Sequence, residues 1–206
     1  MALAAHPDFS RRDAVVLALP RGGVPVAFEV ALALDAALGV FVVRKLGVPG
    51  HPELAMGAIA PGGVRVLNER LIRQLGISDT AIARVIEQET RELERRDRLY
   101  NETHPLPPLA DRGVVLVDDG LATGSTMRAA VQAVRLQKAK RVLVAVPVGS
   151  PDTCLEMRNE ADGVVCLSTP EGFTAVGSWY RVFDQTTDAE AHMLLDEAWR
   201  RHVLLR

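Results

Sequence analysis

With 206 residues, 48% of them hydrophobic, the chain can bury one substantial core but has little room for a second full domain. A formal net charge of −2 gives no basic field of the kind that draws a protein onto nucleic acid or an acidic membrane, so any bound anion must be held locally. The two cysteines, Cys154 and Cys166, are too few for a disulfide framework and lie in no His/Cys cluster, which argues against a zinc site and fits a reducing cytoplasm.

No apolar targeting core precedes the charges of the opening stretch MALAAHPDFSRRD, and no later apolar run approaches the roughly 18 residues of a membrane span. The chain reads as soluble and untargeted. Its first element is a strand at 14–19, apolar throughout rather than alternating, as in a strand buried on both faces. A helix follows at 24–38 and a strand at 40–43. The interval 47–108 breaks this rhythm. It opens with GVPGHPELAMGAIAPGG, too long for an ordinary strand connection and of the kind that forms functional lids. His51 and Glu53 within it are weaker candidates, since a lone loop His is more often simply exposed, and His51 is not read as a catalyst. From Ser78, a candidate N-cap, to about Asn101 the pattern is helical, with Glu87/Arg91, Glu92/Arg96 and Glu94/Arg98 spaced i,i+4 on a solvated face. After the separator THPLPPLADRG come strands at 114–117, 142–146 and 164–167, helices at 126–137 and 151–160, and a closing helix at 188–204. The alternation predicts one α/β domain over residues 1–206, an open, mostly parallel twisted sheet with helices on both faces, carrying a loop and helical insertion at about 47–108.

Chemistry concentrates in VVLVDDGLATGST, residues 114–126. Asp118 and Asp119 stand at the C-terminal end of a strand, a small-residue turn follows, and a helix then begins. Ligands of open α/β sheets bind at such junctions. A phosphate there would meet unpaired N–H groups at the helix N-terminus and the hydroxyls of Thr123, Ser125 and Thr126, while Gly120 and Gly124 let the backbone come close. The segment lacks the lysine and spacing of G-x-x-x-x-G-K-[ST], and G-x-G-x-x-G occurs nowhere in the chain, which weakens NTPase and dinucleotide readings. Two adjacent carboxylates just before a phosphate cradle suit a ligand that carries a phosphate and vicinal hydroxyls, as ribose 5-phosphate does. A plain strand-to-helix turn with Asp capping is the alternative.

VVLVDDGLATGST resembles the phosphoribosyl-diphosphate signature of type I phosphoribosyltransferases: a hydrophobic strand, two acids and a TGST-like turn. The resemblance implies that Asp118 and Asp119 hold the ribose 2′- and 3′-hydroxyls, directly or through Mg2+, and that Ala122, Thr123, Gly124, Ser125 and Thr126 wrap the 5-phosphate. ALPRGGVPVAFEVA, from Ala18, resembles the family's diphosphate loop. It puts Arg21, Gly22 and Gly23 at the end of the first strand, where N–H groups of a Gly-Gly turn and one guanidinium suit a diphosphate; a simple tight turn is the alternative. By the same resemblance, Pro20–Arg21 is the bond to carry a non-proline cis peptide. VVRKLGVPG is similar to the Arg-Lys segment that precedes the flexible catalytic loop in several members. Arg44 and Lys45 are thereby candidates to reach diphosphate oxygens, or else a solvated basic pair at a strand end. TPEGFTAVGSWYRVFDQ, within about 168–186, resembles the hood that holds the base in purine-salvage members. Phe173 or Trp179 could stack on an acceptor, or these aromatics, with Tyr180 and Phe183, could pack a small subdomain.

Two features depart from the family pattern. Ala122 stands where 6-oxopurine enzymes carry an acid, which removes a base-assisting carboxylate and argues against hypoxanthine and guanine, although Ala also occurs there in adenine and orotate enzymes. The first strand also starts about fifteen residues from Met1, where members of this arrangement usually have a preceding helix that helps build the hood.

The expected activity is Mg2+-dependent transfer of a 5-phosphoribosyl group from 5-phosphoribosyl 1-diphosphate to a nitrogen acceptor, a nucleobase by preference, with release of diphosphate. The partners are that donor and a small-molecule acceptor, with neither nucleic acid nor membrane, and a homodimer is the candidate assembly. Cleavage at C1 builds oxocarbenium-like charge on the ribose. Catalysis would then rest on positioning, on cations at the leaving group and on exclusion of water, with no protein nucleophile. A regulatory module that binds the donor without turning it over would share the same signature. A hydrolase would release diphosphate without any base.

Overall fold

The computed structural model describes residues 14–204. In chain order these form β1 (Ala14–Ala18), α1 (Gly23–Leu34), β2 (Ala37–Val40), β3 (Arg44–Val48), β4 (His51–Ala60), β5 (Val64–Leu67), α2 (Glu69–Leu75), α3 (Asp79–Asn101), β6 (Gly113–Val117), α4 (Ser125–Leu136), β7 (Arg141–Val148), α5 (Pro151–Met157), β8 (Gly163–Ser168) and α6 (Asp188–Leu204). Five strands pair in the order β2-β1-β6-β7-β8, all parallel. The remaining three form an antiparallel sheet, β3-β4-β5.

The continuous apolar runs follow from helices on both faces of the parallel sheet. Successive strand residues point to opposite sides. From β1, Val16 and Ala18 pack with Val24, Ala27 and Phe28 of α1 and with Ala191 and Leu195 of α6. Val15 and Leu17 pack instead with Met127, Ala130 and Val134 of α4 and with Met157 of α5. A strand sandwiched in this way has no polar face to show. The chain leaves β1 toward β2 on one side, and it leaves β6 toward β7 on the other. β1 and β6 are neighbours, Leu17 opposite Leu116 and Ala18 opposite Val117, so the loops after them diverge over a crevice at the point where the strand order reverses.

The structure corrects three sequence expectations in the first half of the chain. α1 stops at Leu34 rather than 38, because Asp35 turns left-handed (φ 53) and its N–H returns to the Leu32 and Ala31 carbonyls. The second strand accordingly falls at Ala37–Val40, and residues 41–43 lead out of the parallel sheet. The long loop expected from residue 47 is a pair of β-hairpins. Three of its five glycines sit at turns, Gly50 after Pro49 and Gly62-Gly63 after Pro61, all with positive φ, whereas Gly47 and Gly57 lie within β3 and β4. From the strands flanking these turns, Leu46, Met56 and Ile59 pack toward Ile72, Ile82 and Leu93 of α2 and α3. Arg44 and Lys45 therefore begin an antiparallel strand rather than end a parallel one.

Ser78 caps α3, its hydroxyl accepting from the Ala81 N–H (3.3 Å), and the Glu87–Arg91 and Glu92–Arg96 pairs form on its exposed side. The helix is not solvated all round, since Ile82, Leu93 and Tyr100 are buried. Residues 169–187 carry one 3-10 turn, Val176–Trp179, and run as a strap from β8 to α6. The expectation about a helix before the first strand lies outside the described residues. Among those described, no helix is long and apolar enough to cross a membrane.

Phe41, fully buried where the chain passes from β2 to β3, ties the two sheets together through its hydrogen bond to the Ala18 carbonyl (2.9 Å) and its packing against the α4 side of the core. Phe41→Ala should lower the unfolding free energy by about 3–5 kcal/mol, the cost of an aromatic-sized cavity. Urea titration checks this, and a loss under about 1 kcal/mol would mean that the junction collapses around the truncation.

Candidate functional site

Asp118 and Asp119 follow Val117 at the C-terminal end of β6, in the middle of the sheet. Both are half-buried. The Asp118 carboxylate accepts from the Asp119 N–H (2.9 Å). Burial and the neighbouring charge of Asp119 nevertheless push Asp118 up to about 7, and burial raises Asp119 as well. Among the described residues no cation lowers either value, and the two acids stand at the crevice with their charge uncompensated. They are suited to bind hydroxyl donors or a metal ion.

The turn after them is braced from outside. Leu121, buried, exchanges backbone hydrogen bonds with Val148 and Ser150, and Thr153 donates its hydroxyl to the Ala122 carbonyl (2.7 Å). Arg128 reaches back from α4 to the Thr123 carbonyl (2.8 Å) and is itself held by Glu156. Gly124 has φ 71, which lets the chain turn sharply into α4. No side chain caps α4, so the N–H groups of its first turn are left for an anion. Thr123, Gly124, Ser125 and Thr126 line a hollow of about 160 Å3 together with Asp118 and Val176. All the residues expected around a 5-phosphate are thus brought together.

The loop after β1 forms the opposite wall. Pro20–Arg21 is a cis peptide, as the resemblance implies. A Cβ on Gly22 would overlap the Asp119 carboxylate, and one on Gly23 would lie 2.6 Å from the Val117 carbonyl oxygen and 2.9 Å from the Asp118 Cα. Only glycines let this backbone lie against the acid pair. Arg21, Gly22 and Asp119 share the wall of a larger cleft, about 490 Å3, with Tyr180 and Phe183 across it. The Arg21 guanidinium sits 3.5 Å from Asp188 at the start of α6.

Other expected site residues fall elsewhere. Arg44 donates to Glu89 of α3 (2.6 and 2.8 Å), and Lys45, next along β3, projects to the opposite face of the sheet. Neither lines the two cavities. His51 is exposed beside the β3–β4 turn. Phe173 is half-buried and Trp179 is 47% exposed, and neither borders the cleft. The aromatics that do are Tyr180 and Phe183, with ring centres 5.1 Å apart. Tyr180 donates its hydroxyl to the Asp119 carbonyl (2.6 Å), and burial beside the two acids pushes its phenol up to about 12. Val176 packs on Gly120, where a Cβ would come within 2.6 Å of it. The strap is therefore pinned to the acid turn at two points. Sequence reasoning noticed the aromatic cluster but had no periodicity from which to tell which rings turn inward.

Among the described residues no cluster of three or more His, Cys, Asp or Glu could hold a metal. Two adjacent carboxylates remain. Mg2+ is commonly bound by one or two carboxylates with the rest of its shell from water and substrate phosphates, and Asp118 and Asp119 fit that habit.

A family model described as the phosphoribosyl transferase domain matches residues 53–181, from β4 through the acid turn to the strap. Two curated Mycobacterium tuberculosis proteins, from strains CDC 1551 / Oshkosh and ATCC 25618 / H37Rv, each provisionally named a phosphoribosyl transferase, are 50% identical over 193 residues. The match covers 94% of this chain and 44% of theirs, so the chain spans less than half the length of those relatives. The crystal structure of TT1426 from Thermus thermophilus is 41% identical with a TM-score of 0.86, over 95% of this chain and 92% of that one.

Asp118 provides a test of the site's electrostatics. Its folded value of about 7 lies above its ordinary 3.8, so between the two the folded state holds more protons than the unfolded. Its contribution to stability therefore falls as pH rises through that window and levels off above it. Asp118→Asn abolishes this penalty. In urea titrations the variant should gain stability relative to the native chain between about pH 5 and about pH 8. An equal difference at both pH values would show that the folded environment does not disfavour the carboxylate.

Proposed function

The chain belongs to the phosphoribosyl transferase domain family, and from that premise we propose that it transfers a 5-phosphoribosyl group from 5-phosphoribosyl 1-diphosphate to a nitrogen acceptor, releasing diphosphate. The observation that carries this reading is the acid pair beside a small hollow lined by Thr123, Ser125 and Thr126 at the reversal point of a parallel sheet. Asp118 and Asp119 accept hydrogen bonds from the ribose 2′- and 3′-hydroxyls. Residues 122–126 hold the 5-phosphate with N–H and hydroxyl donors. The N–H groups of Gly22 and Gly23 and the Arg21 guanidinium take the diphosphate. Mg2+, held with Asp118 and Asp119 on one side, would neutralise charge on the leaving diphosphate. Lys45 is a further candidate for that charge, whereas Arg44 in this reading mainly fastens β3 to α3 through Glu89.

In the step itself the C1–O bond to diphosphate breaks as the acceptor nitrogen approaches C1 from the other side. The positive charge that develops on the ribose needs alignment and exclusion of water rather than a nucleophile. The strap supplies the cover. Tyr180 and Phe183 make the acceptor end of the 490 Å3 cleft aromatic, which suits a flat nitrogen heterocycle. Ala122 offers no carboxylate to such a base, so a 6-oxopurine is disfavoured.

One observation favours a second reading, donor binding without turnover. The segment expected to be a mobile lid is made of paired strands, and Arg44 is engaged by Glu89. Diphosphate release measured with Mg2+ and a panel of bases separates the two. A transferase releases diphosphate only with its acceptor, a binding module releases none, and a hydrolase releases it at one rate with or without base. In the same assay Asp119→Asn should lower donor affinity or turnover roughly tenfold or more, since a carboxylate acceptor is replaced by a neutral amide. The anchor to Tyr180 uses the Asp119 backbone carbonyl, and the lost charge was an unfavourable one, so thermal stability should not fall. Native activity in this variant would remove the ribose-hydroxyl role.

A further inference from the structure

Behind Arg21 lies a chain of polar contacts that the donor site does not itself require. Tyr100, at the end of α3 and buried, donates its hydroxyl to Asp188 Oδ1 (2.6 Å). The same oxygen faces Arg21 Nη1 at 3.5 Å. Asp188 is fixed by its place at the start of α6, where Thr187 and Glu190 cap the helix reciprocally. The Glu190 carboxylate accepts from the Thr187 N–H and hydroxyl (both 2.8 Å), and the Glu190 N–H donates to Thr187 Oγ1 (3.2 Å). Residues from α3, α6 and the loop after β1 thus form one run of contacts that ends at the Arg21 guanidinium on the cleft wall.

Arg21 has a long, flexible side chain near two carboxylates whose charge no cation among the described residues offsets. Left to itself it would gain from folding onto Asp119, which lies against the neighbouring Gly22. That would cover the acid that the ribose needs. Asp188 offers a competing carboxylate whose position does not depend on Arg21, because Tyr100 and the α6 cap hold it. A guanidinium has five N–H donors, and one carboxylate at a single Nη leaves the others for a ligand.

We propose that Asp188, held by Tyr100, is a positioning residue that keeps Arg21 directed along the cleft wall, ready for a diphosphate and clear of Asp119. This rests on the donor-site reading above.

The test is calorimetric binding of two probes, magnesium diphosphate and ribose 5-phosphate, to the full chain. Asp188→Asn should weaken diphosphate binding roughly fivefold, the scale of a partly exposed ion pair, while ribose 5-phosphate stays within about twofold. Asp188→Glu should restore part of the loss, and Tyr100→Phe should cause a smaller loss of about twofold. In an Arg21→Gln background, Asp188→Asn should have no further effect on diphosphate. Unchanged or tighter diphosphate binding in Asp188→Asn overturns the proposal, because Asp188 would then be neutral or a competitor. So does an equal loss for both probes, or a loss that persists in the Arg21→Gln background, since either would mark a merely structural role. If the native chain binds neither probe, the donor-site reading fails, and this proposal fails with it.

Discussion

Two carboxylates side by side at the centre of a parallel sheet, half withdrawn from water and with no cation among the described residues to offset them, are the constraint on which the rest of the site depends. Such a pair destabilises the chain that contains it, as the upward displacement of Asp118 to about 7 shows. The surrounding structure holds the pair in place without neutralising it. The apolar core on both faces of β1 and β6 fixes the strand ends, and the Gly22–Gly23 backbone closes against the acids where any side chain would collide. Leu121, Thr153 and Arg128 brace the turn from outside through its Leu121 N–H and carbonyl and the carbonyls of Ala122 and Thr123.

The polar contacts around this pair follow a consistent logic. Tyr180 pins the strap through the backbone carbonyl of Asp119 and leaves the carboxylate open. Arg21, the cation nearest in sequence to the contact glycines, is paired with Asp188 instead. Arg44 is taken up by Glu89 on the far side of the small sheet. In each case the protein satisfies a polar group without spending the acids on it. That arrangement leaves room for a ligand that brings hydroxyls, phosphates and its own metal ion.

The parallel sheet and the acid turn were legible in the sequence for physical reasons. Strands covered on both faces must be apolar throughout, and a strand, two acids and a Gly/Thr turn form a local pattern that needs no tertiary information. The small antiparallel sheet was hidden because β4 is rich in Ala, Gly, Pro and His, residues with weak strand preference, so its hairpins read as a loop. The aromatic wall of the cleft was half legible. Four rings could be seen in TPEGFTAVGSWYRVFDQ, but which of them turn inward depends on Val176 meeting Gly120 and Tyr180 meeting Asp119, contacts made across some sixty residues of sequence. The Tyr100–Asp188–Arg21 contacts left no local trace at all, being assembled from the end of α3, the start of α6 and the loop after β1.

The central claim is that the acid pair and the turn after it bind a phosphorylated ribose. A crystal structure with Mg2+ and 5-phosphoribosyl 1-diphosphate tests it most directly. The account predicts ribose hydroxyls on Asp118 and Asp119, the 5-phosphate within residues 122–126 and the diphosphate against Arg21 to Gly23. A donor bound anywhere else, with the acid pair left unliganded, would contradict it.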